Sequence, residues 1–417
     1  MSQQTETSHT VVVGAGIVGV ATALWLIRAG HRVTLLDKNA PGEGTSHGNA
    51  GVLAASSMIP VTIPGLIIKA PKMLFSSEFP LFMRWSYLPK LAPWLYRYLS
   101  FANDKDTRRI AERLNYIVGD SVEQHHELAG NTKADEWLIP SEYQFAYRSR
   151  AEFDADAYGW NLRREHGFIP ELIDGPAVHE KEPALSKAIN LLAVMKHHGH
   201  IRSPGKYVKA LAEVFQDLGG SFQRASVKDI ELVDDKVNSV VTDQGSIACD
   251  SVVLAMGVWS GPIATKLGLN IPMESERGYH VIFKNPSQQV SCPTMITYGK
   301  FVATPMYDGM RCAGMVEFAG LEAGPSKAPI EFLMRNFKAT FPDVTYSETE
   351  EWLGHRPAPA DSLPFVGQIR NTGIYTGFGH QHIGLTGGAK TGRVIAGLIS
   401  GEQDDSALTA FRPDRFN

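Results

Sequence analysis

Short apolar runs alternate with turns near the start of the chain in a pattern typical of a parallel α/β unit. Residues 10–13 are an unbroken β-branched run, which predicts a strand buried on both faces of a sheet. A largely apolar helix follows and ends at Gly30, and residues 32–36 predict a second strand. The pattern therefore predicts a buried strand, a helix that covers it and a neighbouring parallel strand.

The next part of the chain is mainly helical in pattern. Residues 56–102 are rich in Pro, Leu and aromatic residues, which predicts short amphipathic helices that Pro interrupts. Residues 104–128 predict one long helix. Residues 206–218 predict an amphipathic helix, and strands after it lead to a buried strand at 252–255.

A different periodicity appears towards the C-terminus. Residues 280–283, 301–305 and 311–316 alternate between polar and apolar positions, which predicts an antiparallel sheet. Residues 331–341 predict a helix. The chain therefore combines a parallel α/β part with an α+β part.

The turn between the first strand and its helix has the spacing G-x-G-x-x-G and carries the first candidate chemistry. Its residues are Gly14, Ala15, Gly16, Ile17, Val18 and Gly19, and the second strand is followed by Asp37 and Lys38. Gly14 permits a tight turn, Gly16 lets a pyrophosphate approach the backbone, and Gly19 allows close packing of helix on strand. The helix N-terminus can bind phosphates, and Asp37 can bind ribose hydroxyls. We expect a Rossmann-like unit that binds FAD or NAD; a glycine turn without a ligand is the alternative.

Composition and charge exclude several other classes. The chain has 417 residues and a net charge of -4, which gives no reason to expect a nucleic-acid partner. Its three cysteines do not fit a disulfide framework or a zinc site. Residues 197–200 include three histidines without matching acids or cysteines, so we expect no metal site. Residues 1–10 are polar and no long apolar segment follows, so a cytoplasmic location is expected.

A second candidate segment, residues 42–51, consists of small and hydroxylated residues. Such a sequence does not favour a helix or a strand, but it can wrap a bulky ligand with backbone donors. A flexible surface loop is the alternative interpretation.

Together with three later motifs, these segments resemble the D-amino acid oxidase/dehydrogenase superfamily of FAD-dependent oxidoreductases, and within it the bacterial D-amino acid dehydrogenases. The later motifs are 252–260 (VVLAMGVWS), 354–357 (GHRP) with Asp361 and Pro364, and 379–386 (GHQHIGLT). The resemblance covers nearly the whole chain in the same order.

The resemblance implies FAD as the cofactor and identifies the residues that bind it. Besides 14–19, Asp37 and Lys38, these are Thr45, Ser46, His47, Asn49, Ala50, Gly51, Val52, Val227, Ala255, Met256, Gly257, Trp259, Gly379, His380, Ile383, Gly384, Leu385 and Thr386. Asp37 and Met256 depart from the usual Glu and Thr or Ala of the family. No cysteine occurs in the 45–51 loop or near Gly314, so we expect FAD to be bound non-covalently.

The implied fold is a Rossmann-like FAD-binding domain interleaved with an α+β substrate domain built on an antiparallel sheet. We expect residues 1–55, 200–268 and 346–417 to form the FAD-binding domain. Residues 56–199 and 269–345 are then the substrate-binding or cap domain.

Arginine, tyrosine and histidine residues are the candidates for the reaction itself. In the family the arginine of Gly-x-Arg-Pro binds the substrate carboxylate, which here is Arg356; a structural arginine that pairs with Asp361 is the alternative. Tyr279 and Arg277 are expected beside the flavin, with packing roles as the alternative. His47 and His382 are candidates to tune amine protonation, with structural roles as the alternative.

The resemblance implies oxidative deamination of a D-amino acid, or a cyclic or secondary amino acid, by hydride transfer from Cα to flavin N5. A quinone or another acceptor then takes the electrons. Oxygen-using oxidation of glycine-, sarcosine- or proline-like substrates, a non-catalytic flavin electron-transfer subunit and an NAD-dependent dehydrogenase are the alternatives. Segment 56–102 is interpreted as a helical cap or as a peripheral contact with the inner membrane.

Overall fold

The computed structural model describes residues 8–68, 81–403 and 405–417. In chain order its strands are β1 (His9–Val13), β2 (Arg32–Asp37), β3 (Val52–Leu53), β4 (Leu81–Met83), β5 (Leu138–Tyr147), β6 (Glu171–Asp174), β7 (Leu191–Ile201), β8 (Ser221–Arg224), β9 (Val227–Val233), β10 (Lys236–Thr242), β11 (Gly245–Ala248), β12 (Ser251–Leu254), β13 (Met273–Phe283), β14 (Thr294–Ile296), β15 (Phe301–Met306), β16 (Gly309–Phe318), β17 (Thr349–Pro359), β18 (Phe365–Gln368) and β19 (Ile374–Phe378). Its α-helices are α1 (Ile17–Arg28), α2 (Leu88–Ser100), α3 (Asp104–Val118), α4 (Ser121–Ala129), α5 (Arg150–Ala155), α6 (Ala157–Glu165), α7 (Ala177–Lys181), α8 (Pro204–Asp217), α9 (Ser260–Lys266), α10 (Lys327–Thr340) and α11 (Gly388–Ser400).

The sheet that contains the N-terminal strand has the order β18-β19-β12-β1-β2-β8 within the described ranges. Its strands are parallel, except that β18 runs antiparallel to β19. Alternate residues of β1 face opposite layers, as the two-residue period of a strand requires. Val12 packs among the helices α1, α8 and α11, whereas Val11 and Val13 pack against the small sheet β9–β11 and helix α9. The predicted parallel α/β part is present.

The larger sheet has the order β17-β13-β16-β15-β14-β5-β7-β3, with β4 added beside β16 and β6 beside β7, in the part of the chain that the structure describes. Most neighbours are antiparallel, but β14 with β5 and β16 with β4 are parallel. Helix α10 covers one face through an apolar cluster that includes Phe283, Leu333 and Phe337. The predicted second part, with its mainly antiparallel sheet, is therefore present.

Sheet membership moves the expected domain boundaries. Strand β17 pairs with β13 along its whole length, from Met273 opposite Pro359 to Phe283 opposite Thr349. Strand β3 likewise pairs with β7 of the larger sheet. Because strands of one sheet share their backbone hydrogen bonds, we propose that the last FAD-domain segment begins after β17 and not at residue 346.

The single helix expected over 104–128 is wrong. The structure has two helices, α3 and α4, with Gly119 and Asp120 between them. Glycine is a poor helix former, and the carboxylate of Asp120 accepts hydrogen bonds from Lys390 Nζ at 2.9 and 3.0 Å. A Gly followed by an anchored Asp therefore ends the first helix early.

Segment 56–102 is only partly visible, because its residues 69–80 lie outside the described residues. The visible part contributes strand β4 to the larger sheet and the helix α2, which has Pro93 inside it. Trp94 and Tyr98 of α2 pack against Phe318. No helix among the described residues combines the length and apolar character needed to cross a membrane.

Helices α1 and α11 approach closely because α11 presents glycine to α1. A Cβ atom at Gly392 would lie 2.6 Å from Cβ of Ala21 and 2.6 Å from the backbone nitrogen of Thr22. A Cβ atom at Gly388 would lie 2.8 Å from Cγ1 of Ile17. These contacts leave no space for a side chain between the helices.

We therefore expect Gly392→Ala to lower the free energy of unfolding by about 1–3 kcal/mol, because the added methyl group forces the helices apart. Gly397→Ala is the matched control: it brings the same gain in helix propensity, and its methyl group would meet Cβ of Gln403 at 3.0 Å near the helix end. Urea denaturation of both variants checks this. Equal stability of the two variants would contradict the packing explanation.

Candidate active site

A cavity of about 1130 Å³ extends between the two main sheets. Val13, Leu36 and Ala255 border it at or beyond the carboxyl ends of β1, β2 and β12, which is where open parallel sheets bind ligands. Its volume exceeds the roughly 300–1,000 Å³ typical of pockets for one drug-sized molecule. The cavity therefore has room for a large ligand together with a smaller one.

The glycine turn forms one wall of this cavity. Gly14 has a φ of 108°, and a Cβ atom there would lie 2.5 Å from the carbonyl oxygen of Ala255. A Cβ atom at Gly19 would lie 1.8 Å from the carbonyl oxygen of Gly14. At Gly16 the nearest atom to such a Cβ would be Oγ of Ser46, at 3.3 Å. The absence of a side chain at Gly16 therefore leaves space in the cavity next to the backbone. The three roles predicted for these glycines agree with this geometry.

The acidic residue after the turn is fixed by the backbone. Oδ2 of Asp37 accepts the N–H of Ala15 at 2.7 Å, and Oδ1 accepts the N–H of Asn39 at 2.9 Å. Asp37 and Val227 both border the cavity. Nζ of Lys38 lies 5.0 Å from the ring centre of Trp259, and both residues border the cavity.

Loop 45–51 is joined to both sheets. Oγ of Ser46 accepts the N–H of Ile17 at 3.1 Å, at the first residue of α1. On its other side, Nη1 of Arg311 donates to the carbonyls of His47 at 2.9 Å and Asn49 at 2.7 Å. Arg311 is 3% exposed and has no carboxylate within ion-pair distance among the described residues. Its charge is therefore stabilised largely by loop carbonyls.

The two remaining carbonyls of this part of the loop are also bound by the larger sheet. Nδ1 of His280 donates to the carbonyl of Gly48 at 3.0 Å, and Oγ1 of Thr304 donates to the carbonyl of Ala50 at 2.8 Å. The carbonyls of four consecutive residues, 47–50, are thus held by the larger sheet. We call this set of hydrogen bonds the carbonyl clamp.

Trp352 of β17 closes the space behind the loop. A Cβ atom at Gly48 would lie 2.0 Å from its ring, and one at Gly354 would lie 1.9 Å from it. The ring also stacks on His280, with ring centres 5.2 Å apart and planes 16° apart. Gly48 and Gly354 are therefore required by the size of one indole ring.

The segment 379–386 covers the cavity from the opposite side. Oγ1 of Thr386 donates to the carbonyl of Val52 at 3.0 Å, which ties the segment to the first loop. Nε2 of His380 lies 3.0 Å from Oγ1 of Thr391 in helix α11, and burial lowers the pKa of His380 to about 4. The helix α11 begins directly after this segment, with its N-terminus towards the covered cavity.

Most of the residues predicted to hold the cofactor border this cavity. Four do not: Ala15, Gly19, His47 and Gly51. Ala15 and Gly19 act through the backbone and packing of the turn, as described above. Gly51 has a φ of 76°, and its carbonyl accepts the N–H of Ile201 at 2.7 Å, so it shapes the loop without bordering the cavity.

Arg356 borders the cavity from strand β17 of the larger sheet. Its Nη1 and Nη2 donate to the carbonyls of Met315 and Gly314, both at 2.9 Å. Its guanidinium lies over Gly278, where a Cβ atom would be 2.4 Å away. Asp361 is not its partner, because both oxygens of Asp361 bind Arg415. The proposed structural pairing with Asp361 is therefore wrong, and Arg356 faces the cavity.

Arg277 and the hydroxyl group of Tyr279 do not reach Arg356. Glu317 accepts the Tyr279 hydroxyl at 2.5 Å and lies 3.3 Å from Nη1 of Arg277. Arg277 is fully buried and also donates to the carbonyl of Gly324. These side chains occupy the face of β13 that helix α10 covers. Arg277 does not border the cavity, and its contacts favour the packing alternative. Tyr279 does border the cavity, and its contact with substrate or flavin stays a prediction.

The two candidate histidines also differ in position. His47 does not border the cavity, and its Nδ1 lies where a Cβ atom at Gly205 would be 2.8 Å away, so it packs against the start of α8. His382 borders the cavity, and its side chain is accessible from it. The surrounding protein and the charge of Arg356 lower the pKa of His382 below its usual value, which favours a neutral ring. Of the two histidines, only His382 remains a candidate for contact with substrate.

The cavity contains further residues that the sequence analysis did not identify. Glu276 and Gln381 border it beside Arg356. The larger sheet contributes apolar and aromatic residues to the cavity wall: Tyr143, Met295, Phe301, Val302, Met315 and Val316. The sequence could have indicated Glu276, because it directly precedes the candidate Arg277 on strand β13 and the side chains of a strand alternate between its two faces. Among the described residues, no group of three His, Cys, Asp or Glu side chains could hold a metal ion.

Comparison with known proteins decides the family. The family model described as FAD dependent oxidoreductase matches residues 9–398. The chain belongs to this family. A D-amino-acid oxidase of Bradyrhizobium diazoefficiens is 38% identical over 99% of both chains, and a D-amino acid dehydrogenase of Rhizobium rhizogenes is 29% identical over 94% of this chain and 96% of its own. The glycine oxidase structure from Bacillus cereus has a TM-score of 0.71 at 21% identity, covering 96% of this chain and 97% of that one, which shows a shared fold.

Family membership identifies the large ligand of the cavity as FAD, and the residues present fit it. The glycine turn borders the cavity at the N-terminus of α1, where a pyrophosphate would bind, and Asp37 borders it at the end of β2, where it would bind ribose hydroxyls. Loop 45–51 and segment 379–386 contribute further residues that border the cavity. None of the three cysteines borders the cavity, which supports non-covalent binding. The expected cofactor class and fold are confirmed.

We expect Arg311→Met to weaken FAD binding by about 10- to 100-fold, because it removes two charge-assisted hydrogen bonds that shape loop 45–51. Recovery of flavin fluorescence on dilution of the holoenzyme measures the dissociation constant. Arg150→Met is the control, since Arg150 is exposed and pairs with Asp154. An unchanged FAD affinity in Arg311→Met would show that the carbonyl clamp does not shape the cofactor site.

The buried histidine of the clamp predicts how stability depends on pH. Burial and Arg311 lower the pKa of His280 to about 3, whereas an unfolded histidine titrates near 6.5. Between these values the unfolded chain binds one more proton than the native protein. His280 therefore reduces stability as pH falls below about 6.5, by about 1.4 kcal/mol per pH unit, and has no such effect above it.

We expect His280→Asn, which retains a donor for the carbonyl of Gly48, to flatten the fall in stability between pH 6 and pH 4. The free energy of unfolding at several pH values measures this slope for the variant and the wild-type protein. The region from pH 7.5 to 8.5 is the internal control, because there the two slopes should agree. Identical slopes below pH 6 would contradict the assignment.

Proposed function

We propose that this protein oxidises a D-amino acid, or a cyclic or secondary amino acid, to the imine with FAD as the first electron acceptor. The observation that carries the proposal is that Arg356 borders the cavity from the larger sheet, whereas the glycine turn borders it from the parallel sheet. A planar guanidinium fixed by two backbone carbonyls is preorganised to bind a carboxylate. The names of the relatives support amino acids as the substrates and favour the D-configuration.

The remaining requirements of the reaction are also present. FAD supplies an oxidised ring that accepts a hydride from the substrate Cα. Arg356 orients the substrate, and the apolar wall that includes Met295 and Val302 can accommodate a side chain and exclude water. His382, whose pKa is lowered by the surrounding protein and by Arg356, would offer substrate an uncharged hydrogen-bonding group. The imine then hydrolyses in water without a dedicated base.

The acceptor that reoxidises the cofactor is open to two proposals. Transfer to a quinone or another acceptor follows from the similarity to D-amino acid dehydrogenases, whereas the 38% identical relative is named an oxidase. Exposed apolar side chains flank the undescribed part of segment 56–102: Ile67 and Ile68 before it, and Trp85 and Tyr96 after it. They support a peripheral membrane contact for this segment, as a quinone-using enzyme would need. Hydrogen peroxide formation in air, compared with reduction of a soluble quinone, distinguishes the two acceptors.

We expect a panel of D-amino acids, but not their L-enantiomers, to bleach the flavin absorption under anaerobic conditions. Arg356→Met should raise KM by about 100-fold or more, because the substrate carboxylate loses its charged partner. Arg356→Lys retains the charge without the planar guanidinium and should raise KM by about 10-fold.

Arg108→Met is the control for this series, since Arg108 lies on the exposed face of α3 and pairs with Asp104 and Glu165. FAD content, measured by absorption, verifies that each variant is loaded. If no D- or L-amino acid, glycine or proline isomer bleaches the flavin of the wild-type protein, the proposed function is wrong.

A further inference from the structure

Glu276 lies directly opposite Arg356 in the pairing of β13 with β17. Residues that face each other across an antiparallel pair project to the same side of the sheet, about 4.5–5.5 Å apart at Cβ. Both side chains border the cavity. The wall of the cavity therefore has one acidic and one basic side chain next to each other.

The carboxylate of Glu276 has one oxygen available to accept a hydrogen bond from a ligand. One of its oxygens accepts Nε2 of Gln381 at 3.3 Å, and the other has no hydrogen-bond partner among the described residues. Arg356 is not within ion-pair distance of Glu276, and its guanidinium is bound instead to the carbonyls of Gly314 and Met315. A buried carboxylate without a closely bound cation is costly, and a cationic group of a ligand would offset that cost.

Few carboxylates border the cavity. Besides Glu276 they are Asp37, whose oxygens accept the N–H groups of Ala15 and Asn39, and Glu43, which is exposed. The titratable groups that face Glu276 are Arg356 from β17 and Tyr98 from α2, and His382 lies beside Arg356. The hydroxyl of Tyr98 is buried and without a hydrogen-bond partner in the described structure. None of these neighbours is a better proton acceptor for an ammonium group than the carboxylate.

We propose that Glu276 binds the ammonium group of the substrate and accepts its proton, while Arg356 binds the substrate carboxylate. This inference rests on the proposed function, because it assigns the second of two contacts to a zwitterionic amino acid. It makes Glu276 a catalytic residue that selects for substrates with a basic nitrogen. Hydroxy acids lack that nitrogen, so their carboxylate would lie beside the negative charge of Glu276 with no ammonium group to offset the repulsion.

The proposed step balances in protons and electrons. An N–H bond of the ammonium breaks, its electron pair stays on nitrogen, and an O–H bond forms on Glu276. The neutral amine would then supply its lone pair as the Cα–H bond breaks, and bound FAD would supply the two-electron acceptor for the hydride. The product is the protonated imino acid, which water hydrolyses to the keto acid and ammonium. Glu276 returns its proton to solvent after the product leaves.

The position of Glu276 suits this role electrostatically. Burial raises the pKa of Glu276, and the charge of Arg356 opposes that rise. A carboxyl group whose pKa is raised towards neutrality is a better base than an exposed carboxylate. An ammonium group that leaves water for the same cavity becomes a stronger acid, because burial disfavours its charge.

The decisive variant is Glu276→Gln, which keeps the size and the contact with Gln381 but cannot take a proton. Its rate of anaerobic flavin reduction by a D-amino acid should then depend on the fraction of substrate amine that is neutral in solution. For an amine with a pKa of about 10 this means a loss of about 100-fold at pH 8, recovered as pH approaches 10. The wild-type protein should keep its rate at pH 8.

Glu274→Gln is the matched control. Glu274 lies two residues earlier on the same strand, but its carboxylate accepts the hydroxyl of Tyr87 at 3.0 and 3.1 Å and does not border the cavity. Its pH profile should match that of the wild-type protein. Flavin absorption before mixing verifies that both variants fold and carry FAD.

A second measurement tests Glu276 without any oxidation. Propionate has a carboxylate but no ammonium group, and its binding is followed by the change in flavin absorption. In the wild-type protein its affinity should fall as pH rises, because Glu276 must be protonated beside the bound carboxylate. In Glu276→Gln the affinity should be higher and independent of pH between 6 and 9.

The outcomes separate the two proposals. If amino acids reduce the wild-type flavin and Glu276→Gln has an unshifted pH profile, Glu276 is not the proton acceptor although the function is correct. If no amino acid reduces the wild-type flavin, the proposed function fails, and the propionate titration still decides the place of Glu276. Equal propionate binding by wild type and Glu276→Gln would overturn its place beside the carboxylate site.

Discussion

The carbonyl clamp between loop 45–51 and the larger sheet is the constraint on which the site depends. The loop leaves the parallel sheet with Ser46 bound to the first turn of α1, and its carbonyls are held by β13, β15 and β16. Two sheets with separate cores are thereby fixed on opposite sides of one cavity. The clamp uses a buried guanidinium whose partners are peptide oxygens, so moving the loop would leave Arg311 charged and unsatisfied.

A second consequence of the clamp concerns the direction of the loop. Its carbonyls point to the larger sheet over four residues in succession, and the backbone of Gly48 and Ala50 borders the cavity from the other side. The surface that the loop presents to a ligand is therefore preorganised. Arg356 shows the same principle, because its guanidinium is positioned by the carbonyls of Gly314 and Met315 without the help of substrate.

Local pattern was sufficient for much of the fold and for the cofactor site. The glycine turn, Asp37, loop 45–51 and segment 379–386 are each contiguous in sequence, so their chemistry is visible in the order of residues. The substrate end depended on long-range pairing. Opposite Arg356 stands Glu276 and not Arg277, and a shift of one residue along a strand exchanges its two faces. Arg277 and Tyr279 of this strand were expected at the site, but their guanidinium and hydroxyl groups bind Glu317.

The stacking of Trp352 between two glycines has a consequence for how such a site can change over evolutionary time. Gly48 belongs to the loop and Gly354 to β17, yet both are confined by the same ring. Either glycine becomes replaceable only after the indole has given way to a smaller side chain, and that change in turn removes the surface on which His280 stacks. These positions are therefore expected to vary together across related chains, as a single inherited unit assembled from distant parts of the sequence.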